Sequence, residues 1–338
     1  RSSDLTFWHA VIRDSPFLIS MKTTIEAYTI TVRRKREKDP LLFSDSPDIY
    51  DLMAHDNVSF IKYIDKNITG DLPAEKMTVR IPPKDHSHND KKRYLCGIIE
   101  TGYYGKEYEA VDKDDPKDET KKILLGKSKA ILKPFFYYIQ IPRKGNKALL
   151  ILERVDNNGI YPLLRSILIS FFNYHFQVED LYIIDRNAVV LTSYLKKLKE
   201  GRYNSLSLSA NSIHTDAAER YFGGLNSEDF TIELTMKFKN GMGEIKEKKV
   251  KEMINSGKFL FDSPDLNAIF EDSTKKVTAS IAGGKTRTLY LGNENKNIIH
   301  PYYEIEVKDN EKGFSDYSSI KKATKLFITN NTEFKVFE

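Results

Sequence analysis

Pro134-Phe135-Phe136-Tyr137-Tyr138-Ile139-Gln140-Ile141, the turn Arg143-Lys144-Gly145-Asn146 and Ala148-Leu149-Leu150-Ile151-Leu152 are the stretch that decides the fold. Aromatic and β-branched runs of this length suit a pleated surface, so they predict two strands joined by a tight turn. Asp156-Asn157-Asn158-Gly159 then breaks the sheet and launches Ile160 to Phe176, a predicted helix apolar on nearly every side. A hairpin followed by a buried helix is the centre of a core.

Working outward, 338 residues with 40% hydrophobic and 12% aromatic content exclude a disordered chain and suffice for two domains with real interiors. Ile25–Val32, Met77–Ile81, Leu206–Ala210, Phe230–Phe238 and Tyr302–Val307 read as strands, as does Leu5–Ile12. Ser46-Pro47-Asp48 caps a short helix from Ile49 towards Ala54, and Lys84–Asp90 after two prolines reads as a polar loop. Arg93–Thr101 with Lys106–Val111, and Val277–Ile281 with Thr286–Leu291, read as hairpins, the second over Ala282-Gly283-Gly284-Lys285. Helices are expected at Val189–Lys199, Gly243–Ile254 and Ser315–Leu326. Hairpins outnumber strand–helix–strand crossovers, so the class is α+β with mostly antiparallel sheets, a buried central helix and peripheral basic helices. A boundary between Phe176 and Arg186 divides the chain into a mainly β domain, 1–180, holding helix 160–176, and an α+β domain, 181–338, holding basic helix 243–254.

The single cysteine, Cys96, excludes an internal disulfide framework and a cysteine-based zinc site, and its place on a strand predicts a small buried hydrophobe. One cysteine and no apolar run near eighteen residues predict a cytoplasmic protein without a membrane span. No Walker loop, dinucleotide fingerprint, serine elbow or kinase set is present, so no cofactor is expected. His86-Ser87-His88-Asn89-Asp90 gathers ligand-type residues, but on a predicted loop with no third ligand indicated, so no metal is assigned to it. His175, at the end of the central helix, reads as a core or helix-end histidine.

Net charge is +5, from 53 basic and 48 acidic residues, so its distribution says more than its total. Clusters stand at Arg33-Arg34-Lys35-Arg36, Lys91-Lys92-Arg93, Lys196-Lys197 through Arg202, Lys246 to Lys251, and Lys321-Lys322. In helix 243–254, Met242, Ile245, Val250, Met253 and Ile254 can face inward and leave Lys246, Lys248, Lys249 and Lys251 outward. Such a face neutralises phosphates, and without Arg, Asn or Gln it contacts the backbone rather than reading bases. An ordinary surface helix is the competing reading, since Glu244, Glu247 and Glu252 dilute the charge and make i,i+4 pairs. Lys196, Lys197, Arg202, Arg33, Arg34 and Arg36 complete the predicted phosphate-binding set.

Pro264-Asp265 followed by Glu306-Val307-Lys308 has the elements of a PD…(D/E)xK nuclease, in which Asp265 and Glu306 would hold Mg²⁺ and Lys308 would stabilise the developing charge or orient water. Against it stand the long spacing and the intervening hairpin. A Glu-x-Lys on a half-exposed strand is also an ordinary solvated pair.

The order Tyr137–Gly159, then Ser227-Glu228-Asp229-Phe230-Thr231-Ile232-Glu233-Leu234-Thr235-Met236-Lys237-Phe238-Lys239, then the lysine-rich Lys246–Ile254 resembles the RexA-like phage-exclusion proteins and other small antiphage-defence proteins. The resemblance covers about a third of the chain, by pattern. It implies a dimeric, cytosolic, DNA-binding sensor of a bacterial antiviral system, without catalysis of its own and with a possible partner protein in the same operon. The expectation is therefore a non-enzymatic nucleic-acid-binding homodimer of antiphage defence. The alternatives are a Mg²⁺-dependent nuclease and a protein-interaction or toxin-neutralising module.

Overall fold

Apolar side chains at nearly every position of Phe135–Gln140 and Ala148–Leu152 need cover on both faces, and they receive it: all of these residues are buried. The computed structural model describes residues 20–45, 47–72, 76–156, 158–176, 182–199, 202–210, 232–237, 274–280, 286–291, 298–299 and 301–337. In order come β1 (Ser20–Arg34), α1 (Ile49–Ala54), α2 (Phe60–Tyr63, continued by a π-turn), β2 (Gly70–Leu72), β3 (Met77–Arg80), β4 (His86–Asn89) and β5 (Tyr94–Tyr103). Then follow β6 (Tyr108–Ala110), β7 (Ile123–Leu125), β8 (Lys133–Gln140), β9 (Ala148–Val155), β10 (Asn158–Gly159), α3 (Tyr161–Phe176), β11 (Tyr182–Ala188), α4 (Thr192–Lys199) and β12 (Arg202–Ala210). The last described elements are β13 (Ile232–Lys237), β14 (Thr274–Ser280), β15 (Thr286–Leu291), β16 (Ile298–Ile299), β17 (Tyr303–Lys308), α5 (Tyr317–Asn330) and a closing 3-10 turn (Thr332–Phe337).

The class is α+β, with a ten-stranded, antiparallel sheet and few helices. Its spine runs β11-β1-β9-β8-β5-β3-β2, and β4, β10 and β17 pair off that path. Alternation along each strand sorts the side chains onto two faces. Tyr28, Ile30, Leu150, Leu152, Tyr137 and Ile139 point to one core, which α1, α2 and α3 cover. Ile25, Ala27, Leu149, Ile151, Phe136 and Tyr138 point to the other, covered by α5, the 3-10 turn and apolar positions of α4 and β12. A second sheet runs β13-β12-β14-β15-β16, and the predicted pairing of 277–281 with 286–291 is present there as β14 with β15. Strands from both sides of residue 180 share the large sheet, because β11 and β17 both pair with β1.

Three local expectations are corrected. First, 84–90 is not all loop: His86–Asn89 pairs with Tyr94–Gly97 as β4. Gly97 makes this possible, since a Cβ there would come to 3.0 Å from the Asp85 carbonyl oxygen and 3.1 Å from His86 Cβ. Second, β5 and β6 do not form a hairpin; β5 lies between β8 on one edge and β3 and β4 on the other, while β6 pairs with β7 in a separate exposed ribbon. Third, α3 is fully buried along one face only, although Leu163, Ile169 and Phe176 carry apolar surface beyond that face. Tyr161, Leu164, Ile167, Leu168, Phe171 and Phe172 form its buried stripe, at the spacing of one helix face. The predicted strand 5–12 and helix 243–254 lie outside the described residues.

Cys96 is buried on β5, and His175 Nε2 lies 2.9 Å from the Val58 carbonyl oxygen, as a satisfied helix-end histidine should. Gly102 on β5 has no room for a side chain: a Cβ would lie 2.1 Å from the Ile131 carbonyl oxygen. Gly102→Ala is therefore expected to destabilise by about 1–3 kcal/mol, because backbone rather than a flexible side chain must yield. A urea titration checks this, and an unchanged midpoint would show that the 126–132 segment swings aside freely.

Candidate functional site

The site is organised around Arg93, whose backbone takes a left-handed φ of 48° in the turn between β4 and β5. Asp48 caps α1 by accepting from the Tyr50 and Asp51 backbone N–H groups. The same carboxylate accepts from Arg93 Nη2 at 2.7 and 2.9 Å. Arg93 Nε donates to the Ile141 carbonyl oxygen at 3.1 Å, and the Ile141 N–H donates back to the Arg93 carbonyl oxygen at 2.9 Å. The guanidinium also lies 4.7 Å from the Tyr50 ring centroid. One buried cation thus ties together the start of α1, the β4–β5 turn and the end of β8. It fixes where the flanking loops project.

What those loops project is charge. A cleft of about 550 Å³ opens between the β4–β5 turn, the β8–β9 turn and the last turns of α5. Lys91 and Lys92 come from the first turn, Arg143 and Lys144 from the second, and Lys325 from the helix. No acidic side chain lines it among the described residues. Lys91, Lys92, Arg143 and Lys144 are exposed and have no ion-pair partner among the described residues, unlike buried Arg93. Lys325 Nζ stands 4.7 Å from the Tyr94 ring centroid. The floor is apolar, formed by Ile141, Ile328 and Phe337. Gln140 fastens the 3-10 turn beneath it, donating to the Phe337 carbonyl oxygen at 2.9 Å and accepting from the Tyr138 hydroxyl at 3.0 Å. A second cleft of about 480 Å³ shares Pro142, Lys144, Val336 and Phe337 with the first and adds Lys147 and Glu333, whose carboxylate accepts from the Thr192 N–H at 2.8 Å. Together they make a groove with cations along its rim and aliphatic and aromatic carbons at its base.

The residues expected from sequence are distributed differently. Lys246, Lys248, Lys249, Lys251 and Asp265 lie outside the described residues. Lys196 is exposed on α4, Lys197 belongs to the same helix, and Arg202 begins β12. Arg33 donates to Asp185 at 2.8 Å and Arg34 to Glu37 at 3.2 Å, so both are partly engaged, while Arg36 is exposed in the turn after β1. Glu306 and Lys308 both occupy the exposed face of β17, opposite Lys22 and Ser20 of β1. Among the described residues no other carboxylate joins Glu306 in a group able to hold a metal. Of the basic clusters within the described residues, only Lys91-Lys92-Arg93 lines the groove. Arg143 and Lys144 read as turn residues and Lys325 as one lysine of a helix, so nothing in the sequence announced that they meet.

The β4 strand also changes the surroundings of its histidines. His55, at the end of α1, brings Nε2 to 2.8 Å from Asp90 Oδ1, and the His88 ring packs edge-on against the His55 ring at a centroid distance of 5.0 Å. The Tyr50 hydroxyl donates to the same Asp90 oxygen at 2.7 Å, which holds the Asp90 carboxyl below its ordinary range.

No family model, curated protein or solved structure matches this chain. No described helix is long and apolar enough to cross a membrane.

Proposed function

We propose that this protein binds nucleic acid through its phosphates, without catalysing a reaction on it. The observation that carries this reading is the first cleft, bearing Lys91, Lys92, Arg143, Lys144 and Lys325, with no acidic side chain on its lining among the described residues. Four exposed cations with no ion-pair partner among the described residues, on two turns, can each neutralise a backbone phosphate. Exposed Val336, over the buried Ile328 and Phe337, offers carbon surface to sugars and unstacked bases rather than donors and acceptors for base edges. Sequence-tolerant binding follows. The lysine-rich sequence 246–251 is a second contact in the same reading, and the resemblance to phage-exclusion proteins adds a homodimer and a role in bacterial antiphage defence.

Labelled single- and double-stranded DNA titrated across a salt series is the test. Wild type is expected to bind with an affinity that falls steeply as salt rises. Replacing Lys91, Lys92, Arg143 and Lys144 by glutamate is expected to weaken binding about 100-fold or more at low salt. The salt slope should become shallower by roughly 0.7–0.9 for each phosphate that is no longer neutralised. Unchanged affinity in that variant would remove the groove from the interface. Glutamates at Lys246, Lys248, Lys249 and Lys251 test that segment separately.

A further inference from the structure

We propose that His55, His88 and Asp90 form a binding site for a divalent cation of the zinc class, with coordination positions left open. One ligand atom from each residue lies within 4.8 Å of the other two. Asp90 Oδ1 is 2.8 Å from His55 Nε2 and 3.9 Å from His88 Nε2. Ligand atoms around tetrahedral zinc are about 3.3 Å apart, given Zn–N and Zn–O bonds of about 2.0–2.1 Å. Small rotations of exposed side chains therefore span the difference. In the short His55–Asp90 contact a proton lies between nitrogen and oxygen, and a cation binds by taking its place.

The donor set selects the ion. Two imidazole nitrogens and one carboxylate suit zinc, cobalt or nickel, whereas magnesium and calcium favour an all-oxygen shell. Three protein ligands leave at least one position for water or an anionic ligand, unlike a closed four-ligand structural site. Ordinary surface histidines pair with a carboxylate from mobile positions; here the scaffold is fixed from behind. His55 ends α1, His88 is held in the β4 ladder opposite Leu95, and Asp90 follows that strand directly. The Tyr50 ring is buried, and its hydroxyl aims Asp90 by a 2.7 Å hydrogen bond. Such a group behind a ligand carboxylate orients it and tunes its affinity. Tyr50 is thus a positioning residue, held in turn by Arg93 above its ring.

Titration of nucleic-acid-free protein with Co²⁺, followed by the visible absorption of the bound ion and by competition with Zn²⁺, tests the proposal. One equivalent is expected to bind with an affinity at least micromolar. His55→Ala and His88→Ala should each weaken it by about 100-fold. Their side chains are 43% and 47% exposed, so neither substitution disturbs the core. Tyr50→Phe should keep the stoichiometry and weaken binding about 10–100-fold. The glutamate variant of Lys91, Lys92, Arg143 and Lys144 should bind the ion at least as well as wild type, which separates this site from the nucleic-acid reading. Absence of binding at micromolar Co²⁺ and Zn²⁺, or equal binding in the His55→Ala/His88→Ala double variant, would overturn the site.

Discussion

Arg93→Ala is expected to lower the unfolding free energy by about 3–5 kcal/mol, the range for removing one partner of a buried ion pair. Arg93 is 7% exposed, and its removal strands two groups at once. Asp48, whose side chain is 24% exposed, loses its only ion-pair partner among the described residues, and the Ile141 carbonyl oxygen loses the guanidinium bond. Tyr50 loses the cation above its ring as well. Lysine cannot rescue the position, because one ammonium cannot reach both the Asp48 carboxylate and the Ile141 carbonyl in the way that Nε and Nη2 do. Arg93→Lys is therefore expected to lose most of the same stability. Asp48→Asn, which keeps an N-cap acceptor but discards the charge, should remove a comparable share because it leaves Arg93 without its counter-charge. The midpoint of urea unfolding, with an unchanged slope, measures each effect. A loss below about 1 kcal/mol for Arg93→Ala would mean that water screens the pair as it does at a surface. The variant should also weaken DNA binding, although Arg93 is too buried to touch phosphate, because Lys91 and Lys92 stand in the turn it holds.

That indirect role marks the limit of what the sequence could disclose. The apolar runs at 135–141 and 148–152 name their strands because a fully buried strand has no polar face to confuse the pattern. Asp48 before Ile49 names its helix start for an equally local reason, the hydrogen bonds its side chain accepts from the next turn. Strand 86–89 was not legible. His-Ser-His-Asn has little β-propensity, and it pairs only because β5 presents a free edge and a glycine at position 97. The same non-local logic hid the groove. Lys91-Lys92-Arg93 was visible as a cluster, but one of its three members is a buried structural cation. The partners of the other two come from residues 143, 144 and 325, which only the folded sheet and the helix laid across it bring together. His55 is likewise 33 residues from His88 along the chain, and the end of α1 has to meet the end of β4 before a third ligand exists.

Glu153 gives the second large expected effect, and a pH dependence with a definite sign. It lies on β9 with its carboxylate buried, and no cation is paired with it among the described residues. Burial pushes the carboxyl above its ordinary value near 4.5, and hydrogen bonds from Ser315, Phe136 and Thr23 pull it only part of the way back. The folded protein therefore holds a proton over a range of pH in which the unfolded chain has lost it. Stability from this group is complete below about pH 4.5, and it falls as pH rises through the higher folded value. Glu153→Gln abolishes the titration. The amide oxygen can accept from the Phe136 N–H while its NH₂ donates to a hydroxyl of Thr23 or Ser315, both of which can reverse their roles. Relative to wild type this variant should gain stability as pH rises through the window, with little difference near pH 4. Glu153→Leu should instead cost about 2–4 kcal/mol at low pH, since it leaves the Phe136 N–H and two buried hydroxyls without their acceptor. The Phe136 N–H is the hardest to satisfy elsewhere, because the β8–β9 ladder begins only at Tyr137 opposite Leu152 and the carboxylate takes the place of the next rung. Ser315, 2.5 Å from the same carboxylate, stands just before α5, so the group also fixes where the helix carrying Lys325 leaves the sheet. Thermal unfolding of wild type and Glu153→Gln from about pH 4 to pH 9 decides the matter. Parallel curves across that range would mean that the carboxyl ionises as freely in the fold as in the unfolded chain.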